Sequence, residues 1–163
     1  MSSAYNPALA AIEALPLAVA LRESAPLHAA VATVHLVGVA LLVGSVAVLD
    51  LRLLGLSRKL PVRRLAAHLL PWSAASFLLI VPSGLLMFLA RAEELIGSPL
   101  FALKMTLIAA AGINAAVFHA AVFRGASEWD VDVAPPWQAR AAAALSLAIW
   151  ISVIVCGRML AKA

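Results

Sequence analysis

Apolar residues fill four stretches of the chain, and polar residues gather in the gaps between them. The first stretch, 29–51, reads AAVATVHLVGVALLVGSVAVLDL and carries no formal charge before Asp50. The others run over 67–90 (AHLLPWSAASFLLIVPSGLLMFLA), 101–124 (FALKMTLIAAAGINAAVFHAAVFR) and 139–158 (ARAAAALSLAIWISVIVCGR). A hydrocarbon layer about 30 Å thick is crossed by about 20 apolar residues in a helix, so each stretch predicts a membrane span. Short polar connectors between the spans predict an all-α fold, an antiparallel four-helix transmembrane bundle. Pro71 and Pro82 fall inside the second span, where membrane helices tolerate kinks.

Ahead of the spans, 7–24 (PALAAIEALPLAVALRES) is apolar but interrupted by Glu13, Pro16, Arg22 and Glu23. This pattern predicts an N-terminal interfacial amphipathic helix within 1–27, lying on the outer surface and broken near Pro16. The whole chain, 1–163, reads as a single integral membrane domain. The connector LRLLGLSRKLPVRRL holds Arg52, Arg58, Lys59, Arg63 and Arg64. The positive-inside rule puts it in the cytoplasm of a bacterial inner membrane, with both termini outside. Arg158 and Lys162 run against the rule but are outnumbered by the connector. The first residues lack a basic n-region and contain Glu13, so no cleavable signal peptide is expected.

Composition agrees with lipid as the solvent. Hydrophobic residues make up 64% and charged residues 12% of the chain, about half the charged share of soluble domains. A pI near 10.0 would suit a nucleic-acid partner, but the basic residues sit at helix ends, where topology places them. Nucleic acid is therefore excluded as a partner. Cys156, the single cysteine, excludes an internal disulfide and any multi-cysteine metal motif. There is no phosphate-binding glycine loop, HExxH, CxxC or serine elbow, so no machinery for nucleotide-driven work or hydrolysis is visible. No catalytic residue is assigned.

The candidate chemistry is four histidines in or beside the spans: His28, His35, His68 and His119. At 1.5 Å per residue His35 stands about 22 Å from Asp50, in the outer half. His119 and His68 lie within about 7 Å and about 5 Å of the inner ends of their spans. An inner pair, His68 with His119, is a candidate bis-histidine site for haem b, with Gly112, Ala115 and Ala116 leaving room for a flat macrocycle. The structural alternative puts His68 in the headgroup layer beside Arg63 and Arg64, and bonds His119 to a backbone carbonyl. An outer site centres on His35. With His28, Met87 and Met105, and with Cys156 and Met159 nearby, it would suit copper or an asymmetrically ligated haem. Here the alternatives are methionines as apolar filling and His35 as an interhelical hydrogen bond to Ser83 or Thr106.

Other polar positions carry simpler expectations. Asn114 bridges two helices, and Lys104 snorkels to the headgroups. Trp129 and Trp137 sit in the headgroup layer. Asp50 pairs with Arg52, Arg124 or Arg140 to pin helix ends, or serves as a proton-entry carboxylate. Ala141, Ala144, Ala148 and Ser152 form a small-residue face on the fourth span.

The segments ALRES, VHLVGVALLVGSVAVLDLRLLGL, LLPW, FALKMTLIAAAGINAAVFH and PPWQARAAAALSLAIWISVIVCGR together resemble an uncharacterised bacterial four-helix membrane family, a domain of unknown function. That family is distantly similar to copper-resistance-D-like proteins. It is also distantly similar to the four-helix protoporphyrinogen oxidase, which binds haem b and places a histidine in its first helix. The resemblance implies that His35 corresponds to that histidine. Pro82 stands where a threonine is more usual in the family. The expected function is a haem b-binding electron-transfer protein or redox subunit, working between a membrane donor such as quinol and a partner. The alternatives are a copper-binding or copper-transport protein, and a non-catalytic accessory subunit of a larger complex or homo-oligomer.

Overall fold

A computed structural model describes residues 7–161. Residues 1–6, where the expected surface helix begins, and Lys162 lie outside the described residues. Helices make up the fold, with no strand among the described residues. Two short helices, α1 (Pro7–Glu13) and α2 (Pro16–Glu23), precede α3 (Ala25–Leu53) and α4 (Val62–Ala90). The short α5 (Ala92–Ile96) leads into α6 (Pro99–Val117), and α7 (Trp137–Leu160) closes the chain. Between α6 and α7 the helical path continues as a π turn, Phe118–Val122, and a 3-10 stretch, Phe123–Glu128.

Local sequence explains where the helices start and stop. Pro16, Pro26 and Pro99 occupy first-turn positions, where a missing N–H costs nothing. Ser24 and Ser98 cap α3 and α6, accepting hydrogen bonds from the N–H groups of Leu27 and Phe101. α3 ends in a glycine-terminated cap: Leu56 N–H donates to Leu51 O and Gly55 N–H to Arg52 O. Gly55 has φ +108°, open to glycine and strained for any side chain.

Four helical stretches are long and apolar enough to cross a membrane: Ala25–Leu53, Val62–Ala90, Pro99–Glu128 and Trp137–Leu160. They enclose the expected spans and overrun them by several residues. The third is not one uniform α-helix. Past Val117 it widens, so that Phe123 N–H donates to Phe118 O, and the Phe118 and Phe123 rings meet with centroids 5.8 Å apart. The amino-terminal segment breaks at Pro16, which begins α2 instead of interrupting one helix.

α3 packs most extensively on α4, and α6 on α7, while α7 also contacts α3. α4 and α6 make no comparable contact. Where α3 meets α4 the backbones come close: a Cβ at Gly38 would stand 2.8 Å from Ile80 Cγ1 and 3.2 Å from Ile80 N. Small residues permit such approaches between membrane helices, where dispersion and not water drives packing.

The α3–α4 connector and the α6–α7 loop are tied together at one end of the molecule by Arg52, 2% exposed. Its Nε donates to Leu60 O at 2.8 Å, and its Nη2 donates to Arg58 O at 2.9 Å and Asp130 O at 3.0 Å. Val62 N–H also donates to Asp130 O, Asp132 N–H to Arg58 O, and Arg63 N–H to the Asp130 carboxylate. Leu53, Val62, Ala66, Phe118, Trp129 and Ala139 pack beneath this network. Trp129, expected in the headgroup layer, is therefore part of the core, whereas Trp137 is exposed. At the other end Leu21 and Ala18 of α2 are buried. There Glu13 pairs with Arg22 at 3.4 Å and accepts the N–H of Glu93, while Arg22 donates to Ala90 O.

Candidate functional site

Two regions gather the polar side chains that lie inside the apolar helices. The first is the His35 seam between α3 and α4. His35 Nδ1 lies 3.0 Å from Ser83 Oγ and 3.2 Å from Ile80 O. The Ser83 hydroxyl gives its one proton to the carbonyls of its own helix, to Leu79 O with Ile80 O beside it. Its oxygen is then an acceptor toward His35, and Ile80 O can only accept, so Nδ1 carries the proton and donates to both. Nε2 is left as a free lone pair. Gly84 makes room for the ring, because a Cβ there would stand 3.1 Å from His35 Cε1. Of the two bonding partners expected for His35 the structure selects Ser83. Thr106 is exposed and returns its hydroxyl to Ala102 O.

Near this seam α6 places Lys104, which is half-buried. Its Nζ would lie 3.8 Å from a Cβ at Gly157, so the side chain reaches α7. Cys156 is buried and free. His28 and Met87 are half-buried, and Met105 and Met159 are exposed. Among the described residues no three His, Cys, Asp or Glu side chains stand close enough to form a metal cluster.

The second region is a cavity of about 380 Å³ bounded by all four long helices. Its mouth lies between α4 and α6, where Leu70, Phe77, Gly112 and Ala115 remain exposed. Its polar lining comes from Asp50, Asn114, His119 and Ser146, with Ser45 and Ser73 beside them. Asn114 Nδ2 donates to Ala142 O at 3.0 Å, which ties α6 to α7 as its mid-span position predicted. His119 rides on the π turn between the rings of Phe118 and Phe123, with centroids 5.3 Å from each. Such wide turns are frequent at functional sites. His68 is exposed on α4 and does not line the cavity, so the structure does not bring it to His119 there.

Asp50 differs most from its expected role. Asp50 makes no ion pair among the described residues, and Arg52 points instead into the connector. Two positions apart on a helix, the two side chains face different directions. Asp50 is 6% exposed, Ser146 engages its carboxyl group, and Oδ2 has no hydrogen-bond partner. Sequence reasoning saw the carboxylate but not its cavity, because nothing in a linear pattern reports that α4 and α6 stand apart. The room expected at Gly112 and Ala115 is part of this cavity, but nothing in the pattern placed Asp50 on it.

The fold and these two regions define a small helical membrane protein with a ligand-sized space among four apolar helices. The chain belongs to the family of unknown function DUF6644, whose pattern matches residues 25–163. No curated protein and no solved structure matches it.

Proposed function

We propose that the protein is a haem b-binding electron-transfer protein of the bacterial inner membrane, with His35 as an axial ligand. In this reading the four long helices form an antiparallel bundle, α1 and α2 lie on the outer surface, and the Arg52 end faces the cytoplasm. The observation that carries it is the His35 ring: Nδ1–H is held by Ser83 and Ile80, and Nε2 is free. Histidines that bind metals commonly fix one ring nitrogen in this way and present the other. Haem b, when bound, supplies one-electron chemistry, and the axial ligand and its hydrogen bonds set the potential. The expected distant likeness to haem-binding four-helix enzymes belongs to this proposal. His119 lines the cavity beside Asp50 and is not a ligand in this reading. The copper reading rests on no comparable contact, because Met105 is 48% exposed.

The test is a reduced-minus-oxidised absorbance spectrum of protein purified from membranes supplied with haem precursor. Soret and α bands are expected, lost or shifted in His35→Ala. Ser83→Ala, which frees the ring, is expected to keep the bands and move the reduction potential. Absence of both bands, or a His35→Ala spectrum identical to the parent, overturns the assignment.

A further inference from the structure

We propose that the cavity between α4 and α6 binds a lipid-soluble phenol or hydroquinone, whose hydroxyl group donates to the free carboxylate oxygen of Asp50. This site is separate from His35, about 22 Å away along α3, and does not rest on the haem reading.

Asp50 is the starting point. A carboxylate taken out of water must be compensated by donors, and an unpaired oxygen is costly. Ser146 supplies one partner, Arg52 supplies none, and Oδ2 is buried without a partner in a residue that lines the cavity. None of the neighbouring polar groups donates to Oδ2. Asn114 gives one N–H to Ala142 O, and Ser73 gives its proton to Leu69 O. An occupant that satisfies Oδ2 must bring a donor.

Three further features narrow its chemistry. The mouth opens sideways between two apolar helices, so the occupant arrives through hydrocarbon. A neutral hydroxyl makes that passage far more cheaply than an ammonium group. Phe77, Phe118 and Trp150 line the walls, which favours an aromatic body over a plain alcohol. A volume of about 380 Å³ falls within the range of small-molecule sites and suits a substituted single ring. A lipid acyl chain would fill the walls but leave Oδ2 unpaired.

The test measures equilibrium binding to the full chain in nanodiscs, using decyl-hydroquinone, its O,O-dimethyl ether and tetraphenylphosphonium as probes. The hydroquinone is expected to bind at least about tenfold more tightly than the ether, in line with a hydrogen bond to a charged acceptor. Asp50→Asn is expected to reduce that preference by about tenfold. Gly112→Phe provides a second arm if Asp50→Asn fails to fold. A Cβ at Gly112 meets nothing within 4 Å, so a ring there fills the cavity without displacing the backbone. It is expected to abolish hydroquinone binding at unchanged thermal stability. Equal binding of hydroquinone and ether, binding that survives Gly112→Phe, or binding of tetraphenylphosphonium without the hydroquinone overturns the proposal.

Discussion

α4 has two unlike sides. Toward α3 it is sealed: Gly38 lets the backbones close, Ile80 fills the gap, and Ser83 and Gly84 receive the His35 ring. Toward α6 it meets a neighbour only at one end, where Phe88 stacks on Phe101 with ring centroids 5.8 Å apart, and further along the space between them becomes a cavity floored by α3 and α7. Both sides are built from apolar helices in the same medium. What separates them is the distribution of polar hydrogen bonds. On the sealed side the imidazole Nδ1–H is bonded across the seam, whereas on the open side a carboxylate oxygen finds no partner within the protein. Membrane helices gain little from merely hiding apolar surface, since lipid is equally apolar, so close packing and polar satisfaction decide which helices touch.

Substitutions on the two sides should therefore disturb different things. Gly38→Leu should be the most damaging, because even its first carbon would stand 2.8 Å from Ile80 Cγ1. Overpacking of this kind costs about 3 kcal/mol, measured as reversible unfolding in mixed micelles. A neutral result would mean that the α3–α4 seam is not tight. Arg52→Met, at the end where the two sides meet, removes three charge-assisted bonds to carbonyls and should cost about 2–3 kcal/mol in the same assay. Faster hydrogen exchange at the Val62 and Asp132 amides should accompany it, and unchanged exchange there would show that the connector holds without the guanidinium.

Smaller effects sharpen the contrast. Ser83→Ala on the sealed side and Asn114→Leu on the open side each delete one interhelical bond, and each should cost about 0.6–1 kcal/mol. The expected difference lies in what else changes: Ser83→Ala loosens the His35 ring, seen in its NMR line width, while Asn114→Leu leaves that signal alone. Smallest of all, Gly112→Ala should stabilise by about 0.5–1 kcal/mol, since a helical glycine with open space around it gains only from a better helix former. Destabilisation by Gly112→Ala would mean that α4 closes on α6 in the bilayer.

Much of this architecture was legible in the one-dimensional pattern. Hydrophobic runs long enough for a bilayer gave four helices, prolines marked several of the ends, and Asn114 announced a bridge by its depth alone. The amino-terminal break at Pro16 was legible too. Other features were not. Asp50 and Arg52 read as a pair because they are neighbours in the chain, yet a helix turns them onto different faces. Trp129 read as an interfacial anchor, but the carbonyl network around Arg52 draws its loop over the core. The π turn at Phe118–Val122 had no sequence marker, because it depends on where Phe118 and Phe123 find packing partners.

The sequence by itself determined the solvent and the secondary structure. Apolar length fixes whether a helix can cross hydrocarbon, and backbone groups in that medium must bond within their own helix. Only the tertiary structure decided which helices close on one another and which stand apart. That choice rests on contacts of a few ångströms between residues distant in the chain, such as Gly38 with Ile80 and His35 with Ser83. Hydrophobicity does not distinguish a neighbouring helix from lipid, so the cavity beside Asp50 appears only when all four helices are placed together.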